Sequence, residues 1–373
     1  MNQKNTEPYL STFLHSKGKQ LGLPIAGNFE LTARCNFNCP MCYVHMSEEQ
    51  VAASGKELTA QQWLKIAKEA RDQGMIFALL TGGEPLVRKD FFEIYKGMKE
   101  MGLLISVNSN GSMLQGKILE EFLKDPPNRF NISLYGGCNE TYKNMCGLPV
   151  YDRVKENIRT LRKAGVEVSL NLSITPYNCN DLAQIYGDAV ELDVNVRASS
   201  YMYPPIRLNG ENYGCSDRLS AEEAAKYMVQ WDELRFNDAE FAVRAENMAK
   251  LIDMDRTGCP VEEGEGVKCR AGSTSLWLTW DGRMLPCGMM TTPEVYPLEV
   301  GFQEAWRQLR EATSQIRTPV KCQNCDHKEV CGVCAAVCYS ETGHFDEVSE
   351  YICEKTRQTV RYTVKAGKER KSK

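Results

Sequence analysis

At 373 residues the chain is long enough for two domains and a sizeable core. Its formal net charge of −4 implies no general pull toward nucleic acid or an anionic membrane. No apolar run reaches the length of a membrane span, and Glu7, His15, Lys17 and Lys19 keep the N-terminus from reading as a signal peptide, so a cytoplasmic protein is expected. In so large a chain, sixteen cysteines point to metal clusters rather than disulfides.

Residues 1–24 read as a short N-terminal arm. From 25 to 205 strand and helix patterns alternate. Alternating or apolar runs predict strands at 28–34, 75–81, 103–108, 130–135, 167–174 and 194–201. Helical spacing predicts 58–73 behind Thr59 as N-cap, 90–101 ending at Gly102, 113–124 stopped by Asp125-Pro-Pro, 151–164 ending at Gly165, and 181–192. Repeated βα units of this size imply an α/β fold, a parallel sheet covered by helices, and six of them suit a partial (β/α)6, TIM-like barrel open on one side. In such folds reactive side chains gather at the C-terminal ends of the strands. The pattern stops near Pro204-Pro205, and 206–255 reads as a helical bridge, chiefly 221–255. Composition changes at 256–355, where nine of the sixteen cysteines fall among short elements that include a hairpin turned at Asp281-Gly282. The final stretch, 356–373, is basic from Lys365 onward and reads as a frayed tail.

The run Cys35-Asn-Phe-Asn-Cys39-Pro-Met-Cys42 sits on the loop after the first strand. Three thiolates on one short loop can hold three irons of a cubane cluster that ordinarily takes four cysteines, leaving one iron open to an outside ligand. The alternative is a zinc site, which prefers four closed ligands, with only His45 nearby to complete it. After the second strand comes Thr81-Gly82-Gly83-Glu84-Pro85. Its glycines let the backbone approach a ligand closely, and its carbonyl and carboxylate groups can accept from an ammonium.

In this order the two motifs resemble those of the radical S-adenosylmethionine (SAM) superfamily, although Met41 stands where that family usually has an aromatic residue and Tyr43 follows instead. The resemblance implies that SAM chelates the open iron, that the Gly82-Gly83-Glu84-Pro85 stretch receives its amino group, and that an electron from the cluster cleaves it to methionine and a 5′-deoxyadenosyl radical. It extends to Ser109-Asn110-Gly111 after the third strand. It also covers Ser133 on the fourth, expected near the sulfonium or ribose, and Asn171 or Ser173 on the fifth, expected near ribose or carboxylate. Cys269, Gly282 and Cys287, followed by Cys322, Cys325, Cys331, Cys334, Cys338 and Cys353, are similar to the SPASM extension of that superfamily, which carries two auxiliary clusters. The pattern implies one auxiliary cluster on Cys259, Cys269, Cys287 and Cys334 and another on Cys322, Cys325, Cys331 and Cys353. The family spacing would place a ligand at position 335, where this chain has alanine, so Cys334 and Cys338 both remain open for that role. A structural zinc site on the paired cysteines is the competing reading. Cys138, past the fourth strand, is a candidate hydrogen-atom donor to a substrate radical. Cys146, Cys179 and Cys215 read as buried small hydrophobes, and His15, His45, His327 and His344 as surface or cap residues.

The resemblance therefore implies three [4Fe–4S] clusters, SAM, and a low-potential electron donor such as flavodoxin or ferredoxin. It further implies hydrogen abstraction from a peptide or protein substrate, with the auxiliary clusters taking up an electron. Only 34 residues precede Cys35, too few for a leader-recognition domain, so a separate leader-binding protein is expected if the substrate is a peptide. Oxidation of a small molecule, such as a sugar alcohol or a tetrapyrrole side chain, is the second reading, and a non-catalytic iron–sulfur carrier or zinc scaffold the third. Tyr43, Glu84 and Tyr135 line the expected mouth. Anaerobic reconstitution is expected to give about twelve irons per chain, falling to about eight when Cys35, Cys39 and Cys42 are all replaced by Ala. Zinc without iron would sink the radical reading.

Overall fold

The structure is a computed structural model and describes residues 9–44, 46–205, 207, 217–252 and 264–371. Helix α1 (Tyr9–Leu21) leads into β1 (Ala26–Glu30), so the expected arm is helical. His15 is not on the surface. It is buried, its Nδ1 lies 2.8 Å from Thr274 Oγ1, and its ring stacks on Phe77. Then come α2 (Glu48–Ser54), α3 (Ala60–Asp72), β2 (Phe77–Thr81), α4 (Phe91–Glu100), β3 (Leu104–Ser109) and α5 (Gly116–Lys124). They are followed by β4 (Arg129–Ser133), α6 (Asn139–Cys146), α7 (Tyr151–Lys163), β5 (Val168–Ser173), α8 (Leu182–Glu191) and β6 (Asn195–Ser199). All six expected strands form. The first ends at Glu30 rather than at residue 34, because Leu31 N–H donates to Thr81 O while the Thr32 and Arg34 carbonyls accept from Gly83 and Glu84 N–H, instead of continuing the ladder.

The strands run parallel in the order β6-β5-β4-β3-β2-β1, and the sheet then continues into β7 (Ser275–Leu278) and β8 (Met284–Leu285). Trp277 pairs with Leu285 across the hairpin expected at Asp281-Gly282. Its first strand was not expected to join the barrel, yet β7 pairs in parallel with β1 from Ala26↔Ser275 to Phe29↔Leu278. The sheet does not close: among the described residues β6 pairs with β5 alone, and beyond β8 there is a single bridge, Met284 to Val295.

Strand alternation sorts the side chains. Phe29, Leu80, Val107, Phe130, Ile132, Leu170 and Leu172 pack outward under the helices, where Phe130 meets Phe122 and Phe29 meets Trp63. The opposite face is polar. Asn131 Nδ2 donates to Asn108 Oδ1 (2.8 Å), and Asn108 Nδ2 to Thr81 Oγ1 (3.4 Å). Closed (β/α)8 barrels fill this space with branched apolar side chains. Here the interior is left open for a polar ligand.

Beyond the barrel lie α9 (Ala221–Arg235), α10 (Asp238–Ile252), α11 (Pro297–Val300), α12 (Phe302–Ser314), α13 (Ala335–Thr342) and α14 (Glu350–Lys371). The last helix corrects the expectation of a frayed tail. Ile352, Thr356, Val360, Thr363, Ala366 and Gly367 are its buried face, and Arg370 donates to the Glu233 carbonyl at 2.8 Å. The basic residues masked a helical apolar period that sets α14 against α9 and α10. No described helix is long and apolar enough to cross a membrane.

Inside the open side of the barrel, Glu30 and Arg207 form a salt bridge (2.8 Å) with side chains 0% and 1% exposed, and Trp277 Nε1 donates to the same carboxylate at 2.7 Å. Arg207→Met strands a buried carboxylate and is expected to cost about 3–5 kcal/mol in denaturant-induced unfolding of the full chain. The Glu30→Gln/Arg207→Met double variant is expected to recover much of that loss.

Candidate active site

Backbone contact fastens the cysteine loop to the neighbouring glycine turn. Gly83 N–H donates to Thr32 O (2.8 Å) and Glu84 N–H to Arg34 O (2.9 Å). A Cβ on Gly82, whose φ is +148°, would run into the Thr32 carbonyl, and one on Gly83 into that of Arg34. The approach therefore needs glycine at both positions. Buried Arg88 donates to Leu31 O and Leu58 O, both at 2.9 Å. Glu57 takes a two-pronged contact from Arg34 (3.0 and 2.8 Å) and also accepts from Thr32 Oγ1. The stretch leading to Cys35 is thus held by groups that need no metal.

Glu84 does not sit at the cavity mouth, where it was expected. It is fully buried and does not line the cavity. Its carboxylate accepts from Asn110 N (2.7 Å), Leu86 N (3.2 Å) and Ser109 Oγ (3.0 and 3.1 Å), tying the turn after β2 to the turn after β3. Pro85 is buried beside it as the first residue of a short 3₁₀ turn. Asn110 carries the link onward: its Nδ2 donates to Asn36 Oδ1 (2.8 Å) and lies 3.8 Å from Cys35 Sγ.

The three loop thiols line one cavity. Cys35 Sγ accepts from Phe37 N at 3.4 Å. Burial pushes the Cys35 thiol up to about 12, and Glu84, Cys42 and Cys39 add to the shift against the Phe37 hydrogen bond. Cys39 is raised further, first by its hydrogen bond with buried Cys146 and then by burial. Such thiols hold their protons until a cation arrives, whose charge reverses the balance.

A cavity of about 480 Å³ opens above them. The loop cysteines, Gly82, Gly83, Asn110, Ser133 and Asn171 all contribute to its wall, so the structure brings together most of the residues picked out from the sequence. Tyr43 and Tyr135 line it as well. Cys138 does not. It is exposed at the start of α6, its sulfur 3.3 Å from Thr141 Oγ1, a placement that does not suit a donor to a radical in the cavity. Arg197, Ser199, Tyr201, Tyr203 and Met289 also line the cavity and were missed from sequence. The strand alternation held a signal for two of them: Val194, Val196 and Ala198 face the helices, which turns Arg197 and Ser199 inward.

The second cysteine group surrounds a separate cavity of about 310 Å³, lined by Cys269, Cys322, Cys325, Cys331, Cys334, Cys338 and Cys353. Burial, then Cys353, Cys331 and Cys325, push Cys322 up to about 11. Burial raises Cys287 to about 11 against the Met289 N–H it accepts at 3.5 Å, with Cys334 and Cys269 adding to the shift. Cys334 lines the same cavity as Cys269 and as Cys322, Cys325, Cys331 and Cys353. Cys338 is fully buried and is raised to about 12 by burial and then by Cys322, Cys334 and Cys331. Cys259, Cys215 and His45 lie outside the described residues. Among the described residues no three His, Cys, Asp or Glu side chains close on a single metal ion. Thiols around a cubane are farther apart than thiols around one zinc.

The open parallel barrel, with its cysteine loop and glycine turn at the strand ends, is a radical SAM domain. Residues 29–189 match the Radical SAM superfamily. The chain is 27% identical over 339 residues to the AdoMet-dependent heme synthase of Methanosarcina barkeri, covering 87% of this chain and 94% of that protein. Streptococcus suis SuiB bound to the precursor peptide SuiA has a similar fold, with a TM-score of 0.65, 16% identity and coverage of 92% of this chain and 80% of that one. Native anSMEcpe with bound AdoMet gives a TM-score of 0.66 at 14% identity, covering 93% of this chain and 99% of that one. At those identities the two structures speak for the fold alone.

Burial pushes the Glu84 carboxyl up to about 7 against its hydrogen bonds from Asn110, Leu86 and Ser109. A carboxyl that binds its proton more tightly when folded stabilises the fold below its unfolded pKa and loses that contribution as pH rises through its folded value. Relative to Glu84→Gln, the wild-type chain is expected to lose stability as pH rises from about 4.5 to about 7, read from unfolding midpoints of the metal-free protein.

Proposed function

We propose that the chain is a radical SAM oxidoreductase acting on a small molecule. Cys35, Cys39 and Cys42 would hold three irons of a [4Fe–4S] cluster. Three thiols lining one cavity from a loop held in place without metal, one already accepting a backbone N–H, suit that group. Gly82, Gly83, Asn110, Ser133 and Asn171 would surround SAM, Glu84 acting from behind as the tie between their turns. Cluster and SAM together supply a 5′-deoxyadenosyl radical that removes a hydrogen atom from a substrate C–H bond.

The polypeptide shapes and orients. Its polar strand ends accept and donate around the cofactor, and its walls keep water from the reacting carbon. Cys269, Cys287 and Cys334, with Cys259, would hold one auxiliary cluster, and Cys322, Cys325, Cys331 and Cys353 another, suited to taking the electron that the substrate gives up. The small core of that region, built on Met290, Ile316, Ala335, Ala336 and Tyr339, is of the size that gains from metal cross-linking. A low-potential flavodoxin or ferredoxin would deliver electrons.

The observation that carries the small-molecule reading is the likeness to the heme synthase along nearly its whole length. A cavity of about 480 Å³ is of a size that encloses a cofactor and the reacting end of a compact substrate. The peptide preference drawn from sequence stands as the second reading. The reconstituted enzyme, given SAM and reductant, is expected to form 5′-deoxyadenosine faster with a peptide-free metabolite fraction, carboxylated iron porphyrins among the pure compounds tried. Stimulation only by a protease-sensitive fraction would overturn the reading in favour of a peptide.

A further inference from the structure

Two tyrosines stand side by side in the wall of the cavity. Tyr43 directly follows Cys42, and its ring lies 6.2 Å from that of Tyr203. Both line the cavity. Cys42 lines the same cavity beside Tyr43, and Met289 shares its wall with Tyr203. Met289 completes the contact, with its side chain in the cavity wall and its amide 3.5 Å from Cys287 Sγ.

Tyr203 is held rigidly. Tyr201 meets it edge-on at 4.8 Å and lies 6.0 Å from Tyr351. The Tyr201 hydroxyl donates to Glu341 at 2.6 Å, Arg218 closes on the same carboxylate at 2.5 and 3.0 Å, and the Arg218 guanidinium stacks 3.6 Å from the Tyr351 ring centre. So many partners on one aromatic column exceed what closing a wall requires.

We propose that Tyr43 and Tyr203 form the electronic bridge between the SAM site and the auxiliary site at Cys269, Cys287 and Cys334, with Tyr201, Glu341 and Arg218 positioning Tyr203. The bridge rests on the cluster assignments above. It carries one electron and no proton. The neighbouring rings give the electron an aromatic path in place of a gap. When the auxiliary site is the donor, it is oxidised by one electron. That electron breaks the sulfonium–C5′ bond of SAM, giving methionine and the 5′-deoxyadenosyl radical. Without substrate the radical becomes 5′-deoxyadenosine by taking a hydrogen atom from a buffer thiol.

The test uses SAM as its probe. Full-length reconstituted chain is reduced with titanium(III) citrate, freed of reductant, and mixed with SAM. 5′-Deoxyadenosine is quantified over time while freeze-quenched samples report the reduced auxiliary signal by electron paramagnetic resonance. Wild type is expected to show a first phase from the electron on the SAM cluster. A second phase follows as the auxiliary signal decays in step. In Tyr203→Leu the first phase persists, while the second is lost and the auxiliary signal stays reduced. Tyr203→Phe, which keeps the ring, restores both. Equal second phases in Leu and Phe variants would overturn the bridge, as would a wild type with all its iron and no second phase. An iron content fitting the SAM cluster alone would instead overturn the cluster assignment beneath it.

Discussion

Two backbone hydrogen bonds, Gly83 N–H to Thr32 O and Glu84 N–H to Arg34 O, set the distance between the cysteine loop and the glycine turn. Neither involves a side chain or a metal, so the loop is placed before any iron arrives. Ordering a residue costs roughly 1–2 kcal/mol of backbone entropy, and here the barrel meets that cost in advance for the stretch up to Arg34. Glu84 then fastens the next turn, and Asn110 hands the link to Asn36 on the loop itself. The site is a chain of ties from β1 through β3 to the loop, and assembling a cluster asks little further of the protein.

The polar interior follows from the same economy. A parallel strand in a helix-covered sheet is ordinarily apolar on both faces. From β3 to β6 only the helix-facing side is. The inward Ser and Asn side chains satisfy one another where they touch, as Asn131, Asn108 and Thr81 do, and present donors and acceptors where the cavity opens. Such a surface suits a zwitterionic cofactor, and the Glu30–Arg207 pair nearby is charge-balanced within itself.

Much of this was legible in the sequence, because the barrel announces itself locally. Each strand and helix carries its own period and stop signal, and Thr59 caps α3 in a reciprocal box with Gln62 as its position suggested. The cysteine loop and glycine turn were legible for the same reason, being contiguous. What escaped notice depends on distant partners. The sequence around Glu84 does not show that its carboxylate turns back to Ser109 and Asn110, nor that His15 is buried against Thr274. Tyr201 closes the strand predicted at 194–201 and Tyr203 lies just past it, and their meaning comes from Glu341 and Tyr351 far along the chain. The last helix was hidden by its own lysines and arginines, which are exposed on one side while Val360 and Ala366 are buried on the other.

The parallel pairing of β7 with β1 bears on modularity. The cysteine-rich half is not an appendage joined by a tether, because its first strand borders the strand that carries the cysteine loop. Trimming the chain to its barrel would uncover β1 as a raw, flat edge whose free amides and carbonyls invite a neighbouring molecule to add a strand. The two halves are therefore poor candidates for exchange as cassettes. A transplanted barrel would need a replacement border strand before it could stay monomeric, and a transplanted cysteine region would arrive without the strand that sets its register.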